Sequence, residues 1–259
     1  MRFDPGIDVR PVSTPPGFAY GPGVFGPPVE NRPLDSIRWS LINPKCSGPD
    51  PVYSIAMGVG KLEHRSLLGE LNLLFGVVTY AAGRLGREPV RSQGHVHKRA
   101  RGNKLSPPEI YEIWEGKAII YMQEFAEDDP GRCFAVEAGP GEVVIVPPDW
   151  AHATISADPD QPLTFGAWCD RDYGFRYDKL RAHKGIAWSP ILDATDEIDW
   201  LPNENYVRRQ LIRKKPADHP ELGIRKNIPI YATFEENHDI FMYVANPDRQ
   251  IDAWKDFVP

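Results

Sequence analysis

"SQGHVHKRARGNKLSPPEIYEIWEG", residues 92–116, decides how the rest of the chain is read. Two histidines, His95 and His97, stand one residue apart. On an extended strand successive side chains point to opposite faces, so both imidazoles share one face and can reach one ion. An eleven-residue basic, proline-ended segment, 98–108, follows. Glu109 then opens an apolar run, and Tyr111, two residues on, shares its face. The segment between reads as a surface loop grown between two ligand strands, because closure entropy rises only logarithmically with loop length.

A second stretch joins the first. "GEVVIVPPDWAH", residues 141–152, reads as a strand, a Pro-Pro turn and His152. Taken alone, each feature has a plainer explanation. An HxH pair is more often exposed or hydrogen-bonded, a Glu heading a strand is usually solvated, and a His after a turn often caps it. Together they make three imidazoles and one carboxylate: His95, His97, Glu109 and His152. This mixed N/O set suits one divalent ion among Fe2+, Mn2+, Zn2+, Ni2+ and Co2+, and leaves coordination positions open for a substrate.

Composition fits a cytoplasmic globular protein. The net charge of −6 argues against nucleic acid as a partner, since that role wants a clustered basic face. The three cysteines are far apart with no CxxC, which suggests neither a disulfide scaffold nor a zinc ribbon. The N-terminus has no apolar signal-peptide core, and no run approaches a membrane span. The 27 prolines and 22 glycines are spread along the chain and break helices, so an all-β framework is expected.

Short strand-like runs follow one another from "PVYSIAMGVG" to "PLTFGAWC", separated by turn residues, which reads as a β-sandwich or barrel. "WEGKA" reads as a tight hairpin with Gly116 at positive φ. Residues 1–49 are expected to wrap the barrel as an irregular Pro-rich arm, with a short helix near "LDSIRWSLI". Residues 50–185 form the barrel with the metal site. Residues 186–259 form a mixed helical C-terminal extension, in which "RRQLIRKK" reads as a solvated helix face. Trp114, Trp150 and Trp168 read as core aromatics.

"HVH", then Glu109 with six residues to Gly116, then Gly141 with five to Pro147 and on to His152, resemble the two motifs of the cupin superfamily. That resemblance implies a double-stranded β-helix, or jelly-roll, barrel. The chain departs from it in the eleven-residue gap after His97, and in Asp149 and Ser156 where many cupins have Gly and Asn. "GHVH", "EIYEIWEGKAIIYMQ", "GPGEVVIVPPDWAHATIS", "PLTF" and "DPVY" are similar to the cupin-type glucose-6-phosphate isomerases of archaea and some bacteria. The match covers about residues 50–185.

The resemblance implies that His95, His97, Glu109 and His152 hold the metal and that Tyr111 faces the sugar. It also implies Tyr53 at the pocket rim, Ser92 and the Gly94 backbone near the phosphate, Gln123 near metal or sugar, and Tyr177 in the pocket. Thr79, or its neighbour Val78, stands at a Thr position. Cys169 and Phe175 stand where the family has Tyr and His. A phosphorylated sugar substrate and a homodimer follow from the same resemblance.

The implied reaction interconverts glucose 6-phosphate and fructose 6-phosphate, as in glycolysis and gluconeogenesis, with Glu109, Tyr111 and His152 as catalytic residues. Proton transfer through a cis-enediol and a direct hydride shift both stay open. Lys98, Arg99, Arg101 and Lys104 offer charge for a phosphate, although such a run is more often solvated. The alternatives are another metal-dependent cupin enzyme, such as a different sugar-phosphate isomerase or epimerase or an Fe(II) dioxygenase, and a non-catalytic sugar-binding cupin.

Overall fold

The computed structural model describes residues 3–13 and 16–259; positions 1, 2, 14 and 15 of the expected arm lie outside the described residues. Strands form where β-branched and aromatic residues run between Gly, Pro and Asp turns. The arm contributes β1 (Val9–Ser13), β2 (Pro16–Tyr20), β3 (Val24–Phe25) and β4 (Glu30–Arg32). There follow β5 (Tyr53–Lys61), α1 (Arg65–Glu70), β6 (Leu73–Tyr80), β7 (Arg84–Leu85), β8 (Glu88–Pro89), β9 (Val96–His97), β10 (Glu109–Glu115) and β11 (Ala118–Gln123). Next come β12 (Cys133–Ala138), β13 (Val143–Val146), β14 (Ala151–Ser156), β15 (Leu163–Asp170), β16 (Phe175–Arg176) and α2 (Asp178–Ala182). The extension holds β17 (Trp188–Leu192), β18 (Ile198–Pro202), β19 (Leu211–Lys214), α3 (Ile230–Glu236), α4 (Met242–Ala245) and α5 (Ile251–Trp254).

Two sheets form the all-β cupin barrel that the motifs imply. The larger runs β13-β10-β15-β6-β5-β3, with β4 also on β5; the smaller runs β14-β11-β12-β19. Alternation sorts their residues into layers. Tyr53, Leu74, Tyr80, Tyr111, Ile113, Phe165 and Cys169 of the large sheet meet Ile120, Met122, Phe134 and Val136 of the small one in a shared interior. The outward residues Phe75, Ile110, Trp114 and Trp168 belong to a second core, which the extension covers with Tyr231, Phe234 and Phe241. Trp168 lies 4.8 Å from both the Phe75 and Phe234 rings. Below them Glu112, turned outward from β10, accepts the Ile230 N–H at 2.8 Å and the Trp114 indole N–H at 3.0 Å.

Four expectations are corrected. The arm is not wholly irregular: β1 and β2 pair, and β3 and β4 add to β5, whose edge would otherwise be unpaired. The "LDSIRWSLI" helix is two 3-10 turns, Leu34–Ser36 and Arg38–Ser40. Gly116 has φ +80°, and a Cβ there would meet the Pro162 carbonyl oxygen at 2.4 Å. Yet the turn is no hairpin, because β10 belongs to the large sheet and β11 to the small one. "RRQLIRKK" contains a strand rather than a helix: β19 lies parallel on β12 and satisfies its free edge. Among the described residues no helix is long and apolar enough to cross a membrane.

Candidate metal centre

The site lies where the two sheets face each other at one end of the barrel. β10 turns Glu109 and Tyr111 inward, β14 turns His152 inward, and β9 carries His97. His95 forms an isolated antiparallel bridge with His152, each backbone N–H donating to the other carbonyl at 3.0 Å. The approach depends on Gly94, whose φ is +84°. A Cβ there would sit 3.0 Å from Ile186 and 3.5 Å from the His152 carbonyl oxygen. The ring centroids of His95 and His152 are 4.3 Å apart, and each lies 5.0 Å from His97.

The hydrogen bonds fix where lone pairs point. His97 Nδ1 is 2.9 Å from the Pro107 carbonyl oxygen, and His152 Nδ1 is 3.2 Å from that of Trp150. A carbonyl only accepts, so each Nδ1 carries the proton and each neutral ring presents a bare Nε2. Both Nε2 atoms lie against one oxygen, Glu109 Oε2, at 3.2 and 3.3 Å. Lone pairs facing a carboxylate oxygen repel unless a cation or proton lies between them. His95 Nε2 is buried and has no partner among the described residues. One donor atom from each of the four residues lies within 4.8 Å of the others. Neutral imidazoles and a carboxylate converging on one point are what a divalent ion requires, and the second shell of carbonyls already orients two of the rings.

Burial lowers His95 well below the ordinary imidazole value, and His152 and His97 add to that. Burial lowers His152 as well, whereas at His97 burial is outweighed by the contact with Glu109, which raises the imidazole. Burial would raise Glu109, but protons at the His152 and His97 Nε2 atoms, in the place an ion would take, outweigh it and hold the carboxyl well below its usual range. The Tyr111 hydroxyl donates to Glu109 Oε2 at 2.7 Å, and burial, then the Glu109 charge, push its phenol well up. Cys169 Sγ is 3.1 Å from Glu109 Oε1; burial keeps the thiol protonated, so it donates.

The remaining candidate residues divide. Tyr53 is buried in the interior and stacks on Tyr80 at 4.7 Å. Ser92 exchanges backbone and side-chain hydrogen bonds with Thr154 at 2.9 and 3.0 Å. The Tyr177 ring lies 6.3 Å from that of His95. Thr79 and Gln123 do not face the site. Thr79 alternates outward beside Thr164 at 3.0 Å, leaving Val78 against the interior. Gln123 is fully buried on the far side of β11, bonded to the Tyr121 hydroxyl, the Phe125 carbonyl and the Ala187 N–H. In both cases strand parity turns the side chain away. The basic loop also lies elsewhere: Lys98 and Arg99 share an outer pocket with Asp149 and Arg176, while the Lys104 and Leu105 N–H groups donate to Asp248.

Of the other neighbours, Met57 and Tyr173 carried no sequence signal for a role. Phe175 packs on His95 at 4.4 Å because β16 pairs with β9, and Met57 and Tyr173 line the cavity beside Glu109. That cavity measures about 20 Å³.

A family model described as glucose-6-phosphate isomerase (GPI) matches residues 43–209, well over half of the chain. The chain is 32% identical over 126 residues to the glucose-6-phosphate isomerase of Thermococcus litoralis, covering 49% of this chain and 60% of that protein. It is 29% identical over 175 residues to the enzyme of the same name from Pyrococcus furiosus, covering 68% and 82%. To the putative glucose-6-phosphate isomerase 1 of Rhizobium meliloti it is 27% identical over 138 residues, covering 53% and 60%. Among solved structures, recombinant oxalate oxidase in complex with glycolate superposes with a TM-score of 0.37 at 14% identity, covering 48% of this chain and 54% of that one.

Proposed function

The chain belongs to the glucose-6-phosphate isomerase family, and from that premise we propose that it is a metal-dependent aldose–ketose isomerase interconverting glucose 6-phosphate and fructose 6-phosphate. The observation that carries the reading is the convergence of the His97 and His152 Nε2 atoms on Glu109 Oε2, with the unpartnered His95 Nε2 among them. The reaction moves one hydrogen from C2 to C1 and one proton from the C2 hydroxyl to the C1 oxygen, with no net oxidation. His95, His97, Glu109 and His152 hold one divalent ion, which when bound polarises those two oxygens.

Tyr111 handles the hydroxyl proton. Its phenol stays protonated in its buried place and is aimed by Glu109 Oε2. A sugar hydroxyl within reach of that oxygen exchanges its proton there on either route. Glu109 is held on both oxygens, since Oε1 accepts the Cys169 thiol. Service as the C2 base therefore requires that thiol contact to give way. The cavity beside Glu109 has room for about one water. A hexose phosphate needs more room than this, so its entry requires a wall of the cavity to move.

Cys169 and Phe175 favour a second reading, isomerisation of a related phosphosugar, because both touch the ligand set at positions where the resembled family carries Tyr and His. A homodimer and a cytoplasmic setting complete the proposal; a monomer in light scattering would remove the first. The test of the activity is a coupled assay of fructose 6-phosphate conversion on metal-stripped protein with Fe2+, Mn2+, Zn2+, Ni2+ or Co2+ returned. Turnover restored by an ion supports the isomerase. Full metal binding without turnover by any ion contradicts it.

A further inference from the structure

Arg32 ends β4, and its Cα faces that of Tyr53 across the β4–β5 pair. It lies in the arm, upstream of the family-matched residues 43–209. Its Nε is buried and lacks a partner among the described residues, and an unmet guanidinium donor is costly to bury. One terminal nitrogen pairs with Glu30 Oε1 at 2.6 Å, and the Glu30 side chain is 59% exposed at the rim. An ion pair that exposed is weak and easily exchanged.

Three phenols lie within electrostatic reach of the guanidinium. Burial raises Tyr53, Tyr173 and Tyr177, and the Arg32 charge draws each of them back. Glu30 acts on all three in the opposite sense, and Arg181 reinforces Arg32 at Tyr177. Two of these phenols border the metal pocket. Tyr173 lines the cavity beside Glu109, and the Tyr177 ring is 6.3 Å from the His95 ring. Arg181 itself is held over the Trp39 ring at 5.2 Å and the Tyr177 ring at 5.3 Å. The cations Lys98, Arg99 and Arg176 open instead on the outer surface around Asp149.

A buried guanidinium N–H without a partner, with phenols in electrostatic reach and one rim carboxylate on it, is matched to a tetrahedral oxyanion. We propose that Arg32, carried by the N-terminal arm, recognises the phosphate terminus of the sugar substrate at the mouth of the metal pocket, with Tyr53, Tyr173 and Tyr177 as supporting donors. The sugar in this statement rests on the isomerase reading; the phosphate contact does not. Glu30 is the anion that phosphate displaces.

The test is calorimetric titration of inorganic phosphate into the full-length, metal-loaded protein and into Arg32→Ala, Arg32→Lys and Glu30→Gln, with metal content measured alongside. Arg32→Ala is expected to weaken phosphate binding about tenfold or more, the loss of one charge-assisted contact. Arg32→Lys is expected to fall between, since an ammonium lacks the fork. Glu30→Gln is expected to tighten binding several-fold, a gain that misfolding cannot produce. Metal content stays constant in all three. Equal phosphate affinity in wild type and Arg32→Ala, as when phosphate sits on the metal alone, overturns the proposal, as does Glu30→Gln binding no tighter than wild type. If the isomerase reading fails, turnover is absent while this phosphate pattern persists, so the two failures are distinguishable.

Discussion

The Tyr111 hydroxyl and Glu109 Oε2 form a 2.7 Å hydrogen bond between residues two apart on one strand, at the point where two imidazole nitrogens also converge. The bond exists because β10 turns both side chains to the same face. It puts a protonated phenol beside the ligand set without making it a ligand.

Tyr111→Phe therefore separates proton handling from metal binding. The variant is expected to keep its metal and lose about 100-fold or more in kcat, the scale of a positioned acid–base group. Activity within twofold of wild type in a fully metallated variant would show that Tyr111 does not touch the reacting atoms.

Glu112 gives a pH signature remote from the metal. Burial, against hydrogen bonds from the Ile230 and Trp114 N–H groups, pushes its carboxyl up to about 7. The folded protein thus binds this proton more tightly than the unfolded chain, whose carboxyl titrates near the ordinary 4.5. Stability from this group is present at low pH and falls as pH rises from about 4.5 to about 7, by on the order of 3 kcal/mol. Glu112→Gln is expected to flatten that slope while losing roughly one hydrogen bond, ~1 kcal/mol, at low pH. Urea titrations at several pH values check it; identical slopes in both proteins contradict it.

Phe234 tests how firmly the extension belongs to the barrel. It is fully buried in α3, 4.8 Å from the Trp168 ring and 5.5 Å from that of His64. Phe234→Ala is expected to cost ~3–5 kcal/mol in global unfolding if extension and barrel melt together. A loss under ~1 kcal/mol would mean that the extension opens on its own.

The metal face was legible in the sequence because it depends on parity alone. "HVH" and "E-x-Y" place side chains on a common face of any strand, and Gly116 marks a positive-φ turn in any register. Parity does not say which face is inward. Thr79 and Gln123 each sit on the wrong side of a strand whose adjacent residue, Val78 or Met122, faces the interior. The strand at Leu211–Lys214 was hidden because its partner, β12, lies more than seventy residues upstream, so local spacing had nothing to register against. Arg32 was invisible for the same reason: only the β4–β5 pairing brings it to Tyr53. The Cys169 thiol likewise reaches Glu109 only through the pairing of β15 with β10.

The most direct measurement is the metal content of wild type and His152→Ala by elemental analysis, with circular dichroism on the same samples. One divalent ion per wild-type chain is expected. His152 supplies one of the converging Nε2 atoms, so His152→Ala is expected to lose that ion with the β-sheet spectrum unchanged. A folded His152→Ala that keeps a full equivalent of metal would contradict the placement of the site.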